Sequence, residues 1–361
     1  MRIAIFHELQ QGGARRAVNE FAKELQKKHT VDLYIVDIKE DSAERAFFHQ
    51  VHLYPFTPKD WRGGNWRLKL YKDTLELMKL YQLHKKMAAD INNGEYDVAF
   101  IHPSQYTQAP FILRFLKTRK VYYCEEPLRL VYESQFEIPK NIPLIKKIYE
   151  KFNRLLRKRI DRENLKKADM VITNSKYTKK RIEEAYKIKS VVSYLGVDTH
   201  LFRPLAQKKE YDILFIGAKT EDDGYILLRE IEGELPREIS IKKHIIGEDW
   251  IEDETQFVKL YNKAKLVVCL SHDDPFGLIP LEAMACGIPV VAVNEGGYLE
   301  TILHNNTGYL LPRNGSIIAK KITSLLRNEA ITKQLGRNAR EHVVENWTME
   351  KSTKQIERHL R

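Results

Sequence analysis

Two carboxylates eight residues apart, Asp274 and Glu282, stand in the run SHDDPFGLIPLEAMACGIPVVAV, residues 271–293. Asp274, Pro275, Phe276 and Gly277 read as a loop, and Leu278 to Cys286 as the opening of an apolar helix. Gly287 and Pro289 stop that helix before a strand over 289–293. A helix start presents backbone N–H groups without intrahelical acceptors and the positive end of the helix dipole, which suits a phosphate or diphosphate. Glu282, about one turn into the helix, can reach a neutral polar part of the same ligand, such as a ribose. Asp274, on the loop, can accept hydrogen bonds from sugar hydroxyls. Phe276, Gly277 and Leu278 offer backbone donors, although Phe276 can equally pack the loop.

Other candidates are spread along the chain. Gly12 and Gly13 follow an apolar run at residues 2–6, RIAIF. Their amides can approach a phosphate or sugar where a side chain would clash, and the same pair also serves a plain tight turn. His102 ends the run DVAFIH, 97–102, as either an acceptor-side base or sugar ligand, or a buried structural histidine. Acidic pairs at 222–223 and 273–274 stand without further ligands for a metal. Cys124, Cys269 and Cys286 have no metal-ligand spacing and lie among apolar residues. They read as buried thiols in a reducing cytoplasm.

The elements that must position these residues alternate between strand and helix. RIAIF is followed by a loop and by a helix burying Ala17, Phe21, Ala22 and Leu25. VDLYIV, 31–36, is the next strand, and strand–helix–strand opens a doubly wound sheet. Further strands are expected at 97–102, 120–124, 170–173 and 190–194, with a long amphipathic helix over 66–90. Residues 142–167 carry Ile142, Ile145, Ile148, Phe152, Leu155, Leu156 and Ile160 at helical spacing among Lys and Arg. That helix either faces the core and shows a basic outer face, or lies on a membrane surface. A turn at Gly196 leads to a second alternation: strands at 211–217, 241–247, 266–271 and 289–293, then helices over 316–327 and 330–345 and a terminal helical stretch from Trp347. The fold class is α/β.

The 361 residues suffice for two domains, and 43% are hydrophobic, so each can bury a core. No apolar run is long enough to span a bilayer, and residues 1–7 read as a buried strand rather than a signal peptide. The net charge of +11 is uneven: residues 1–195 carry about 38 Lys and Arg against about 24 acids, and the remainder is slightly acidic. Such a half can rest on an anionic membrane, meet a phosphorylated lipid acceptor, or present an ordinary solvated face. Nucleic acid is not expected, because no zinc finger, recognition helix or RNA-binding signature accompanies the charge.

The run at 271–293 resembles the signature of the retaining glycosyltransferases of family 4, which have the GT-B fold: an acid, Pro-Phe-Gly-Leu, a Glu eight positions after the first acid, then Ala-Met-Ala-Cys-Gly-x-Pro-Val-Val. The first acid is normally Glu, and this chain has Asp274. YLGVDTHLFRP, 194–204, and GGYLETILHNNTGYLL, 296–311, also resemble family segments, and the likeness covers nearly the whole chain, most weakly at about 35–95. The resemblance implies two Rossmann-like domains facing across a cleft: 1–195 for the acceptor, 196–345 for the donor, and a helix at 346–361 crossing back. It also implies transfer of a hexose, with retention, from a nucleoside-diphosphate sugar to a glycan, lipid-linked or small-molecule hydroxyl, with no metal or other cofactor. Surface polysaccharide or glycolipid assembly at the inner face of the cell membrane fits that activity and the basic half.

By motif, Asp274 falls at the donor-sugar contact and Glu282 at the ribose contact. Glu300 falls near the nucleotide or merely caps a helix. The segment KVYYCEEPLR, 120–129, places Glu125 where the family has a His near the reacting carbon. Two family cations that brace the diphosphate are absent, since Ala218 and Asp223 stand in their places. Lys219 is a candidate replacement or a surface lysine, and Arg15 or Arg16 could serve from the other domain. The departures leave a second reading open, a catalytically inactive homologue acting as a partner subunit.

Overall fold

The computed structural model describes residues 1–10, 12–37, 45–57, 66–132, 138, 141–249, 251 and 253–361, with backbone alone for 66–73. The chain forms two compact units. The first comprises Met1–Asn174, Thr178–Ser193 and Thr353–Arg361, and the second Ser175–Tyr177 and Tyr194–Ser352.

The first unit holds a parallel sheet of β1 (Arg2–Glu8), β2 (Thr30–Val36), β3 (Gln50–Tyr54), β4 (Val98–Ser104), β5 (Arg119–Cys124), β6 (Met170–Thr173) and β7 (Val191–Val192), in the order β3-β2-β1-β4-β5-β6-β7. β1 is buried on both faces, because helices cover both sides of a parallel sheet. Helix α1 (Gly13–Leu25) covers the face of Phe100 and Tyr123 through Phe21. Helix α2 (Trp66–Asn92) supplies Met87, Ala88 and Ile91 to a core with Phe6, Ile101 and Tyr122. β3 falls within the segment where the family likeness is weakest, and the sequence reading places no strand there.

After β5 come a short helix α3 (Arg129–Tyr132), α4 (Leu144–Leu165) and α5 (Lys176–Tyr186). The structure settles the orientation of α4 against a core-facing apolar stripe. Tyr149, Asp161, Asn164 and Leu165 are buried, whereas Ile145, Ile148, Phe152 and Leu155 face outward.

The second unit holds a parallel sheet of β8 (Tyr211–Gly217), β9 (Ile241–Ile245), β10 (Ala264–Cys269), β11 (Val290–Val293) and β12 (Gly308–Leu311), ordered β12-β11-β10-β8-β9. Its helices are α6 (Tyr225–Glu234), α7 (Glu254–Asn262), α8 (Leu278–Ala285), α9 (Tyr298–Thr301), α10 (Gly315–Leu326), α11 (Glu329–Asn346) and α12 (Met349–Leu360). The last residues of α12 belong to the first unit. There His29 Nε2 lies 3.2 Å from Glu357 Oε1, and Arg119 donates to the Leu360 carbonyl.

Each sheet has a switch point where the crossovers diverge to opposite sides, beside β1 and β4 in the first unit and beside β8 and β10 in the second. Open parallel sheets bind ligands at the carboxyl ends of such strands. Glu8 and His102 stand there in the first unit, and Gly217 and the loop after Cys269 in the second. No helix among the described residues is long and apolar enough to cross a membrane.

Candidate functional site

The loop from β10 to α8 is built around Asp274. Its Oδ1 accepts the amides of Phe276 at 2.9 Å and Gly277 at 2.6 Å, and Tyr298 O–H approaches Oδ2 at 3.4 Å. The carboxylate thus folds the chain back onto itself in an aspartate-type turn. Gly277 takes φ 95°, which a side chain resists, and starts α8 with no side-chain cap. Phe276 and Gly277 were expected to offer amides to a ligand, but Asp274 already holds both. The Leu278 amide is then the first helix donor beyond that turn, where the dipole favours an anion.

A second loop is pressed against the first. The Gly297 amide donates to the Asp274 carbonyl at 2.7 Å. A Cβ on Gly296, at φ 58°, would overlap the backbone of Asp273 and Asp274, and one on Gly297 would overlap Phe276. Both positions must therefore lack a side chain for the acidic loop to rest on them. Glu300, at the following turn, accepts the amides of Lys176 and Tyr177 at 3.0 and 2.8 Å and the Tyr194 hydroxyl at 2.8 Å. Of its two expected roles, capping is the one this geometry displays.

Glu282 is buried in α8, and its Oε2 accepts the hydroxyl of buried Tyr261, from the end of α7, at 2.7 Å. Lys219 is exposed and donates to Glu248 at 2.6 Å, which raises its affinity for its proton. Asp223, in place of a family cation, accepts from the Thr220 hydroxyl at 2.7 Å. Arg313 is the cation that sequence reasoning missed. It donates to the carbonyls of Leu270 and Ser271 at 2.9 and 3.1 Å and pairs with Glu295 at 2.6 Å, so it braces the strand end leading to Asp274. Its one available signal was its position just past β12.

In the first unit, Gly12 precedes α1 without a side-chain cap, and nothing lies within 4 Å of the Cβ position there. Packing does not demand this glycine, and the space it leaves is open. Gly13 begins the helix. Arg15 is buried and donates to Asp37 at 2.7 Å, so it braces its own loop rather than projecting outward.

Glu125, half-buried at the end of β5, has a carboxyl pushed up to about 8 by burial and by the neighbouring charge of Glu126. Its loop is held by Gln108 donating to the Glu126 carbonyl at 2.9 Å and by the Leu128 amide donating to Tyr186 Oη at 3.1 Å. Tyr186 in turn donates to buried Asp161 at 2.7 Å, a supporting chain that only the fold reveals. His102 is buried beneath the surface. Its ring lies 4.4 Å from that of Phe100 and 5.6 Å from that of Tyr123, with no hydrogen bond to either nitrogen. Burial first, and then nearby His7, hold it well below the usual imidazole range, so it is neutral. It therefore offers no nitrogen to solvent in this structure, contrary to an exposed base. The three cysteines are buried and free. Among the described residues, no three of His, Cys, Asp and Glu form a group that could hold a metal.

The family model described as Glycosyltransferase Family 4 matches residues 11–201, more than half of the chain. The chain belongs to that family. A second model, Glycosyl transferases group 1, matches residues 237–342. Among curated relatives, the N-acetyl-alpha-D-glucosaminyl L-malate synthase of Bacillus anthracis is 31% identical over 160 residues, 43% of this chain and 42% of that protein. An uncharacterised glycosyltransferase of Methanocaldococcus jannaschii is 28% identical over 196 residues, 48% and 54% of the two chains. The chain thus spans about half the length of these relatives.

Solved structures align over nearly all of the chain. Sucrose-phosphate synthase from Thermosynechococcus elongatus superposes with a TM-score of 0.73 at 17% identity, covering 99% of this chain and 98% of that one. HepE from Anabaena, in complex with UDP-glucose, superposes with a TM-score of 0.71 at 18% identity, covering 100% and 99%. At those identities the likeness establishes the GT-B fold.

Proposed function

We propose that this protein transfers a hexose from a nucleoside-diphosphate sugar to a hydroxyl of a glycan, lipid-linked or small-molecule acceptor, with retention of anomeric configuration. The observation that carries the reading is the Asp274 turn set against the uncapped start of α8, at the switch point of the second sheet. An acid for sugar hydroxyls and a helix end for a diphosphate occur there within five residues. HepE, a fold neighbour, holds UDP-glucose, which supports a nucleotide-sugar donor.

In this reading the Leu278 amide and the α8 dipole stabilise the charge that gathers on the departing diphosphate. Asp274 orients the sugar, and Tyr261 fixes the carboxylate of Glu282 for the ribose. In the first unit, Gly12 and Gly13 stand at the start of α1, with open space at Gly12 for a phosphate or a sugar. The departing diphosphate takes the acceptor proton in a front-side attack, so the protein supplies no covalent nucleophile. Glu125, in the first unit, holds a neutral carboxyl near neutral pH, which can donate to a sugar hydroxyl.

One observation favours a second reading, a partner subunit without activity. Lys219 and Arg313, beside the second sheet's switch point, are each paired with a carboxylate. A panel of UDP-, GDP-, ADP- and dTDP-sugars decides between the two, reading released nucleotide and ligand-induced thermal shift. A donor at a hundredfold excess over its Kd stabilises the fold by about 2.7 kcal/mol. Selective binding to one nucleotide with slow hydrolysis, both weakened in Glu282→Ala, supports the transferase. No binding to any member of the panel supports the partner subunit.

A further inference from the structure

Helix α4 carries an apolar face that the described residues leave exposed. Leu144, Ile145, Ile148, Phe152 and Leu155 are between 47% and 73% exposed. At about 100° per residue they fall within one arc of about 100°, a width normally buried against a core. The opposite side of the helix holds the protein through Tyr149, Asp161 and Asn164. Aqueous exposure of five large apolar side chains in one stripe marks an interaction surface rather than scattered exposure.

The charge beside the stripe identifies its partner. Lys147, Lys151, Arg154 and Lys158 recur at helical spacing along one edge of the apolar arc, and Arg159 lies within it. The helix carries eight Lys and Arg against three acids. A protein partner that covers an apolar face requires no such surplus, whereas a lipid surface with anionic headgroups matches both components. Apolar side chains enter the acyl boundary while flanking cations meet the phosphates. Long Lys and Arg stems also suit that interface, since the methylene groups can lie along apolar material with the charge in the headgroup layer.

We propose that α4 is a membrane-docking helix that lies in the plane of an anionic bilayer, with Ile148, Phe152 and Leu155 as its inserting residues. This inference does not depend on the transferase reading, because it uses no residue assigned to the donor or acceptor.

The test is co-sedimentation of the full chain with vesicles of phosphatidylcholine alone and of phosphatidylcholine mixed with phosphatidylglycerol. Binding is expected to the mixed vesicles, to weaken with added salt, and to be at least about tenfold weaker to the neutral ones. The variant Ile148→Ser/Phe152→Ser/Leu155→Ser should lose binding by more than about tenfold. Its melting temperature should not change, because all three side chains are already exposed. Lys151→Glu tests the charge component independently and should reduce binding without touching the apolar stripe. The proposal is overturned if wild type ignores anionic vesicles, or if the triple variant binds them as wild type does. A dimer of wild type that the triple variant dissolves, without vesicle binding, would assign the face to a second copy and also overturn it. The donor panel above reads separately, so failure here leaves the transferase reading untouched.

Discussion

A carboxyl that keeps its proton to about pH 8 changes what can be placed beside it. Glu125 ordinarily titrates near 4.5, and burial raises it to about 8. Between those values the folded state holds a proton that the unfolded chain has released, so stability is fully present below the lower value and falls as pH rises through the upper one. Asp161, raised to about 7 by burial, acts in the same direction. Melting temperature is expected to fall from about pH 5 to pH 8, and Glu125→Gln should flatten that slope. If the neutral carboxyl serves the sugar, turnover declines above about pH 8 in the wild type. Glu125→Gln should keep its rate at that pH, whereas Glu125→Ala loses about a hundredfold. Tyr261 and Glu282 form a second residue-scale test. Tyr261→Phe strips the hydroxyl from a buried carboxylate and should cost about 1–3 kcal/mol, read by denaturant unfolding. A matching loss of nucleotide affinity would tie that carboxylate to the donor.

Among elements, the acidic loop and the Gly296–Gly297 turn depend on each other's backbone. Gly296→Ala introduces a Cβ at positive φ against the Asp274 backbone, which should cost about 1–3 kcal/mol and raise the donor KM by displacing Asp274. Lys219→Ala, on an exposed pair, should leave nucleotide affinity and melting temperature unchanged. A clear affinity loss would place Lys219 on the diphosphate after all. Much of this element was readable in advance. Pro275, Gly277, Gly287 and Pro289 mark its turns by backbone restriction, and the strands of the second sheet are short apolar runs. β3 was not readable, because Gln50–Tyr54 is only half-buried at a sheet edge and its polar residues break any apolar run. Helical periodicity located the apolar stripe of α4 but says nothing about which way a stripe points. The pairing of Lys219 with Glu248 is likewise a tertiary fact with no local signal, whereas the hold of Asp274 on the Phe276 and Gly277 amides is a local turn that an Asp before Pro and Gly can signal.

For the whole molecule, the first unit is closed by the last residues of the chain. Ile356 and Leu360 are buried in α12, and Glu357 is bonded to His29 and Arg361. Ile356→Ala should cost about 2–5 kcal/mol, seen by calorimetry as earlier melting of the first unit. Metal-independent transfer predicts that turnover survives a chelator, and a loss restored by one divalent ion would overturn that expectation.

The threading of the first unit has a consequence for synthesis. Its second segment ends at Ser193 and its third begins at Thr353. A ribosome adding about 5–20 residues per second takes roughly 10–30 s to cover the intervening stretch of about 160 residues. During that interval the nascent first unit lacks the helix that carries Ile356 and Leu360, both buried in the finished fold. The second unit, nearly continuous in sequence, emerges whole in the same interval. It is therefore positioned to finish folding before the domain that was begun first.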